Sequence, residues 1–257
     1  MTIAFVHGNP ETAAVWDLVA ARLAEVGFDE QVRLSPPGFG APVPEGFAPT
    51  PDAYRDWLIG ELEALGRPVH LVGHDWGGVH VVNVAMARPD LLRSWASDAI
   101  GVLAPDYVWH DLAKLWQTPG AGEAWVAEQL ERTPRERAEL LAARGMDERV
   151  AARVAEGYDA AMGDCVLRLY RAAAQPYLAS LGAGLQAASA RPGLCVLPTE
   201  DHFVGTEEQR RRCAERAGAQ VATLEGRGHW WITEDDGHPA AQALAGFFAN
   251  VSAGAAR

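Results

Sequence analysis

Thiols are scarce in this 257-residue chain: Cys165, Cys195 and Cys213 are the whole set. An odd number cannot all pair, and no Cys-x-x-Cys spacing occurs. Neither a disulfide framework nor a zinc site is indicated, and the expected compartment is a reducing one, the cytoplasm. Basic residues are also few, with 22 Lys and Arg against 34 Asp and Glu, a formal charge of -12. That balance argues against nucleic acid as a partner, because polyanion sites need clustered cations. No apolar run reaches about 18 residues, the length a membrane span needs. The first residues lack the basic stretch, apolar run and cleavage site of a secretory leader, so neither membrane association nor secretion is expected. Repeats and low-complexity tracts are missing as well, and only the tail after about Asn250 reads as disordered.

What is present suffices for a full-sized core, since 49% of residues are hydrophobic and 22% charged. Short apolar runs at Ile3 to Val6, Val32 to Leu34, Val69 to Val72, Trp95 to Ile100, Leu194 to Leu197 and Val221 to Leu224 alternate with helical segments. Such alternation predicts an α/β fold with a mostly parallel, doubly wound sheet. Val15, Val19, Leu23 and Val26 share one helix face. So do Tyr54, Leu58, Leu62 and Leu65, in a helix that starts with Pro51 after Thr50. From about Pro105 to Arg191 the pattern turns to helix upon helix with no convincing strand. The predicted organisation is therefore residues 1–104 as the first part of the α/β core, 105–190 as an inserted helical cap, and 191–257 as the second part of the core. A cap over the carboxyl edge of the sheet would exclude water from a site there.

The most informative stretch is Val72-Gly73-His74-Asp75-Trp76-Gly77-Gly78. It has the form of a nucleophile elbow, Gly-x-nucleophile-x-Gly, in which a buried strand turns sharply into a helix and the flanking glycines let backbones approach. Aspartate stands where esterases carry serine. A carboxylate attacking an electrophilic sp3 carbon forms an alkyl ester, which a histidine-activated water then hydrolyses. With an ordinary pKa near ~4 such a carboxylate needs no base to ionise it. On its own the pattern would equally fit an aspartate capping the next helix.

Further anchors decide between these. They are His7-Gly8-Asn9-Pro10-Glu11 with Trp16 after the first strand, Pro37-Gly38-Phe39-Gly40 after the second, the Glu200-Asp201-His202 loop, and Gly228-His229-Trp230 near the end. Together with the elbow they resemble the α/β-hydrolase superfamily, and within it the branch of epoxide hydrolases and haloalkane dehalogenases. The resemblance implies Asp75 as nucleophile, His229 as the base that activates water, and Asp201 as the acid that orients it. Asp98, after an earlier strand, is where some dehalogenases place the acid and is the competitor. Asn9 and Trp76 would supply the oxyanion donors, or in a dehalogenase the halide donors.

Tyr170 matches one of the two cap tyrosines that activate an epoxide in this branch. The second position falls near Leu112, with no tyrosine, which leaves Tyr107, His110 or Tyr177 as substitutes. Trp116, Tyr107 and His110 are pocket candidates, with Trp109 and Trp125 more readily explained as core. His7 and His74 are read as bracing the loops around the nucleophile. Glu234, Asp235, Asp236 and His238 superficially resemble a metal site but read as a solvated face with a helix cap, so no metal and no cofactor beyond water is expected.

The leading expectation is a hydrolase opening a small apolar epoxide to a diol. A haloalkane dehalogenase, an ester or lactone hydrolase, and a non-catalytic ligand-binding relative remain alternatives. Relatives usually have two strands before the one leading into His7. About six strands are expected here, with an exposed edge that a second copy of the chain could cover in a homodimer.

Overall fold

The computed structural model describes residues 1–255. Its strands are β1 (Ile3–Val6), β2 (Gln31–Leu34), β3 (Val69–Gly73), β4 (Leu92–Ser97), β5 (Gly193–Pro198) and β6 (Ala219–Leu224). They form one sheet in the order β2-β1-β3-β4-β5-β6, and every neighbouring pair is parallel. Parallel neighbours need crossovers, here built on α1 (Asp17–Glu25), α2 (Pro51–Ala64) and α3 (Trp76–Ala87). Six more helices lie between β4 and β5: α4 (Asp111–Gln117), α5 (Ala121–Glu131), α6 (Pro134–Ala142), α7 (Glu148–Glu156), α8 (Ala160–Ala172) and α9 (Tyr177–Gly182). The chain closes with α10 (Glu207–Arg216) and α11 (His238–Ala255).

Both faces of the sheet are covered, which is why the strands read as continuous apolar runs rather than alternating ones. Ile3 and Phe5 bury against Val19 and Leu23 of α1 and Leu244 and Phe248 of α11. Ala4, Val6 and Leu71 point the other way, into a cluster with Tyr54, Leu58 and Leu62 of α2 and Val79 and Val82 of α3. Each such fully buried side chain contributes about 1.5–3 kcal/mol relative to exposure. Thr50 caps α2, its hydroxyl accepting the Ala53 N–H, and Pro51 fills the first helical position, as the sequence predicted.

Several local expectations are corrected. β4 stops at Ser97, and Ile100–Leu103 forms a 3-10 turn, because the Ser97 hydroxyl accepts the Ala99 N–H and leads the chain out of the sheet. Within the helical stretch α7 ends at Gly157, and α8 begins where the Asp159 carboxylate accepts the Met162 N–H. Val15 sits in a 3-10 turn and Val26, past the end of α1, is 61% exposed, so the predicted stripe keeps only its middle. The tail read as disordered is helical as far as α11 runs, to Ala255, anchored by buried Phe247 and Phe248, and Ala256 and Arg257 lie outside the described residues. No helix among the described residues is long and apolar enough to cross a membrane.

The order of strands positions the site. From β1 the chain passes outward to β2, then crosses back over β1 to β3, so connections leave the adjacent ends of β1 and β3 in opposite directions. Val6 and Gly73 are level in the register. The crevice beyond their carboxyl ends is where open α/β sheets bind ligands. His7 to Pro10 and His74 to Trp76 emerge there side by side.

Candidate active site

At the end of β3 the backbone turns at Asp75 with φ 51° and ψ -126°, a conformation costly for any residue with a Cβ, of order 1–3 kcal/mol. Four hydrogen bonds hold the turn. The His74 N–H donates to the Val6 carbonyl, the Gly78 N–H to that of His74 and the Val79 N–H to that of Asp75. The fourth joins the Asp75 N–H to the Asp98 carboxylate at 2.9 Å. A Cβ on Gly77 would run into the carbonyls of Val6 and His7, and one on Gly8 into the Asp75 carboxylate itself, so both glycines are required by close approach. The Asp75 side chain makes no capping bond to α3, which removes the helix-cap explanation. Its carboxylate instead accepts the Asn9 N–H at 3.1 Å.

His229, in the loop after β6, faces this carboxylate, with Nε2 3.8 Å from Asp75 Oδ2. Its Nδ1 lies 3.0 Å from Asp201 Oδ2, while the other Asp201 oxygen accepts the Phe203 N–H at 2.9 Å. The structure thus brings Asp75, His229 and Asp201 together. Asp201 is placed by Arg210 of α10, a buried guanidinium that donates to the carbonyls of Pro198 and Asp201.

Asp98 does not reach His229, contrary to its role as alternative acid. Its Oδ2 lies 2.5 Å from His74 Nδ1 and accepts the Trp231 indole N–H at 2.7 Å. β4 lies beside β3, so a residue leaving β4 meets the elbow from below, whereas β5 delivers Asp201 next to the loop that follows β6. On the far side of His74, Glu11 Oε1 lies 3.4 Å from Nε2 and accepts the Trp230 indole N–H at 2.5 Å. His74 therefore joins the elbow to the His229 loop through two carboxylates and two indoles. Glu11, Trp231 and Arg210 were given no role from sequence. Glu11 stood inside the His-Gly-Asn-Pro-Glu anchor, which was the available signal, whereas Trp231 and Arg210 had none.

These environments set the proton affinities. Burial pushes the Asp75 carboxyl up to about 6, against the pull of His229, so it is more basic than the ordinary carboxylate expected from sequence. Burial would also raise Asp201, but the charge and hydrogen bond of His229 hold it at about 2. In return Asp201 overcomes the burial of His229 and raises its pKa above the ordinary value. His74 follows the same rule more strongly: burial disfavours its cation, yet Asp98 and Glu11 raise it well above normal, while Glu11 falls to about 2. His7 is desolvated and held neutral, its Nδ1 2.8 Å from the Gly8 carbonyl.

Above Asp75 lies a cavity of about 10 Å³ lined by Trp76, Tyr107, Trp109, His110, Tyr170 and Phe203 among others. Tyr170 stands edge-on to Trp76, centroids 5.4 Å apart. Trp116 is not in the lining, a correction to its assignment as a pocket residue. It backs Tyr170 at 4.7 Å, and Trp109 takes the wall position instead. Tyr107 lines the cavity, but its hydroxyl donates to the Phe203 carbonyl at 2.7 Å. Tyr177 belongs to α9 and is not part of the lining. The Glu234, Asp235 and Asp236 carboxylates pair with Arg227, Arg22 and Arg149, away from Asp75. A larger open groove of about 1070 Å³, between α6, α7 and that acidic loop, is lined in part by Arg227, Glu234 and Asp235 and includes none of Asp75, His229, Asp201 and Tyr170.

Comparison with known proteins agrees with this fold. Residues 3–243 match the model of the alpha/beta hydrolase family. An epoxide hydrolase from Caballeronia sordidicola is 34% identical over 96 residues, which is 36% of this chain and 29% of that protein. Bifunctional epoxide hydrolase 2 from Rattus norvegicus is 27% identical over 145 residues, 51% of this chain and 26% of that protein. The chain thus spans less than a third of the length of these curated relatives. Among solved structures, a loop variant of the haloalkane dehalogenase DbeA from Bradyrhizobium elkanii superposes with a TM-score of 0.75 at 21% identity, covering 100% of this chain and 91% of that one.

Proposed function

Because the chain belongs to the alpha/beta hydrolase family, we propose that it opens a small apolar epoxide to a diol through an alkyl ester on Asp75. The observation that carries this reading is the Asp75 carboxylate, held on the strained elbow, receiving the Asn9 N–H at 3.1 Å and faced by the His229–Asp201 pair. In the first step an Asp75 oxygen bonds to a ring carbon and the C–O bond breaks. Its electron pair passes to the oxygen, which takes a proton from Tyr170 in the wall of the cavity. In the second, His229 removes a proton from water as it attacks the Asp75 carbonyl carbon. The Asn9 and Trp76 backbone N–H groups stabilise the oxyanion, and His229 returns the proton to the departing diol. Asp75 leaves as a carboxylic acid and its proton restores Tyr170, so the net reaction adds one water. Asp201 orients His229 and stabilises its cation. The helices of residues 105–190 act as the cap, because α8 and the segment before α4 supply Tyr170, Trp109 and His110 to the cavity.

One observation favours a second reading. The Trp76 and Trp109 rings stack with centroids 6.1 Å apart at 26°, and the Trp109 indole nitrogen is buried without a hydrogen-bond partner. Paired indole donors would suit a departing halide, so haloalkane hydrolysis on the same nucleophile is the alternative.

Replacing His229 with Gln separates these readings, because alkylation does not need the base and hydrolysis does. His229→Gln protein incubated with mixed epoxides and haloalkanes should accumulate an adduct on Asp75, read by intact mass and peptide mapping. A gain equal to a whole epoxide supports the proposal. A gain equal to a haloalkane less hydrogen halide supports the alternative. No adduct with any reagent overturns both.

A further inference from the structure

An epoxide oxygen released as an alkoxide is stabilised by each donor that reaches its lone pairs, and Tyr170 supplies one. None of the other four tyrosines is available. The Tyr107 hydroxyl is spent on the Phe203 carbonyl and that of Tyr54 on the Pro37 carbonyl. Tyr158 lies beside Trp125 in a separate pocket, and Tyr177 shares a hydrogen bond with Asp52. Leu112, where the resemblance placed a second tyrosine, is half-buried against the core and carries no donor.

We infer that His110 is the second catalytic donor, its Nε2–H hydrogen bonding to the leaving oxygen opposite Tyr170; the inference rests on the epoxide reading. His110 precedes α4 and caps it, Nδ1 accepting the Ala113 N–H at 3.2 Å. A ring nitrogen that accepts carries no proton, so the neutral imidazole bears its hydrogen on Nε2. The capping bond thereby selects the tautomer that leaves a donor. Nε2 has no other hydrogen bond among the described residues. The ring lines the same cavity as Asp75 and Tyr170, edge-on to Tyr170 with centroids 6.4 Å apart, and is braced by Phe203 at 5.1 Å. Burial, reinforced by the charge of His229, lowers its pKa to about 4, so the ring is neutral wherever Asp75 is ionised. The donor therefore adds no cation that would pair with the nucleophile. Tyr170 transfers the proton in the balanced steps above, and His110 stabilises the charge while that transfer occurs.

The test uses the His229→Gln protein with styrene oxide, following ester formation by rapid quench and intact mass. Adding His110→Asn keeps a good helix cap while removing the Nε2 donor. Alkylation should slow by about 10-fold or more, less than the ~10²–10⁴-fold of a lost general acid because Tyr170 still transfers the proton. The loss should shrink for a trifluoromethyl-substituted epoxide, whose leaving oxygen is less basic and needs the donor less. An undiminished rate with His110→Asn overturns the inference. So does an equal loss for both epoxides, which would mark a structural role, or a loss that appears only with Trp109→Phe. Failure of His229→Gln alone to form any epoxide adduct would instead overturn the epoxide reading, and this one with it.

Discussion

The rings of His74 and His229 lie with centroids 4.8 Å apart, and each is gripped at Nδ1 by a carboxylate, Asp98 for the first and Asp201 for the second. Only His229 reaches Asp75. The His74–Asp98 pair is instead a fixed, buried counterpart that ties the elbow to the His229 loop, Trp231 donating to Asp98 and Trp230 to Glu11 beside His74.

Exchanging the two acids one at a time should separate their duties. Asp201→Asn is expected to slow ester hydrolysis by roughly 10²–10⁴-fold and leave alkylation within a few fold, as loss of the orienting acid does in other triads. Asp98→Asn keeps the His229–Asp201 pair but unbalances a buried cation, and is expected to cost roughly 3–5 kcal/mol in urea unfolding. Accumulation of the ester in Asp98→Asn but not in Asp201→Asn would reverse the assignment.

The rate should rise with pH on one side only. In the proposed mechanism Asp75 attacks as its anion, which forms as pH rises through about 6. His229 accepts a proton only when neutral, above its own raised pKa. Both steps therefore gain toward alkaline pH, and the acid form of Tyr170 persists because burial and the nearby Asp75 charge raise its pKa well above 10.0. Single-turnover alkylation by His229→Gln should show a midpoint above 6, since the cation that helped ionise Asp75 is gone. A midpoint near 4 would contradict the burial of the nucleophile.

Removing the Asp75 carboxylate should stabilise the protein. A carboxyl raised from 3.8 to about 6 in the fold opposes folding as pH climbs through that window. At about 1.36 kcal/mol per pH unit the cost above the window is of the order of 3 kcal/mol. Asp75→Asn should therefore melt at a higher temperature than the native chain at pH 7–8, and the difference should vanish below about pH 4. Equal melting curves at pH 8 would show that the anion is not held against its preference.

Glu11 makes the opposite contribution. Burial would raise it, but His74 and the Trp230 indole hold it at about 2 rather than 4.5. Its share of stability, roughly 3 kcal/mol by the same conversion, is present above about pH 4.5 and lost as pH falls toward 2. Glu11→Gln should lower stability at pH 7 and flatten the acid limb of an unfolding titration. An unchanged acid limb would mean that other groups carry it.

The strand-helix alternation and the elbow were legible in sequence because both depend on local pattern: apolar runs buried on two faces, and glycines demanded by contacts a few residues away. The choice between Asp98 and Asp201 was not. Each follows a strand and each ends near a histidine, and only the lateral order of β3, β4, β5 and β6 decides which histidine that is. Trp116 and Trp109 were likewise indistinguishable by residue type. One lies within α4 and turns toward Trp125, the other precedes the helix and reaches the cavity. The basicity of Asp75 depends on burial from all sides, which no local window records. The continuation of α11 past Asn250 was missed because the small residues there carry no signal of the anchoring by Phe247 and Phe248.

The cavity beside Asp75, at about 10 Å³, matches the room a single water occupies rather than an organic molecule. Entry of an organic molecule would therefore require the lining to shift, and the Tyr107–Phe203 bond fastens two of its residues together. Competing molecules would then be sorted first by girth and by how long that fastening stays undone, and only afterwards by how readily they react.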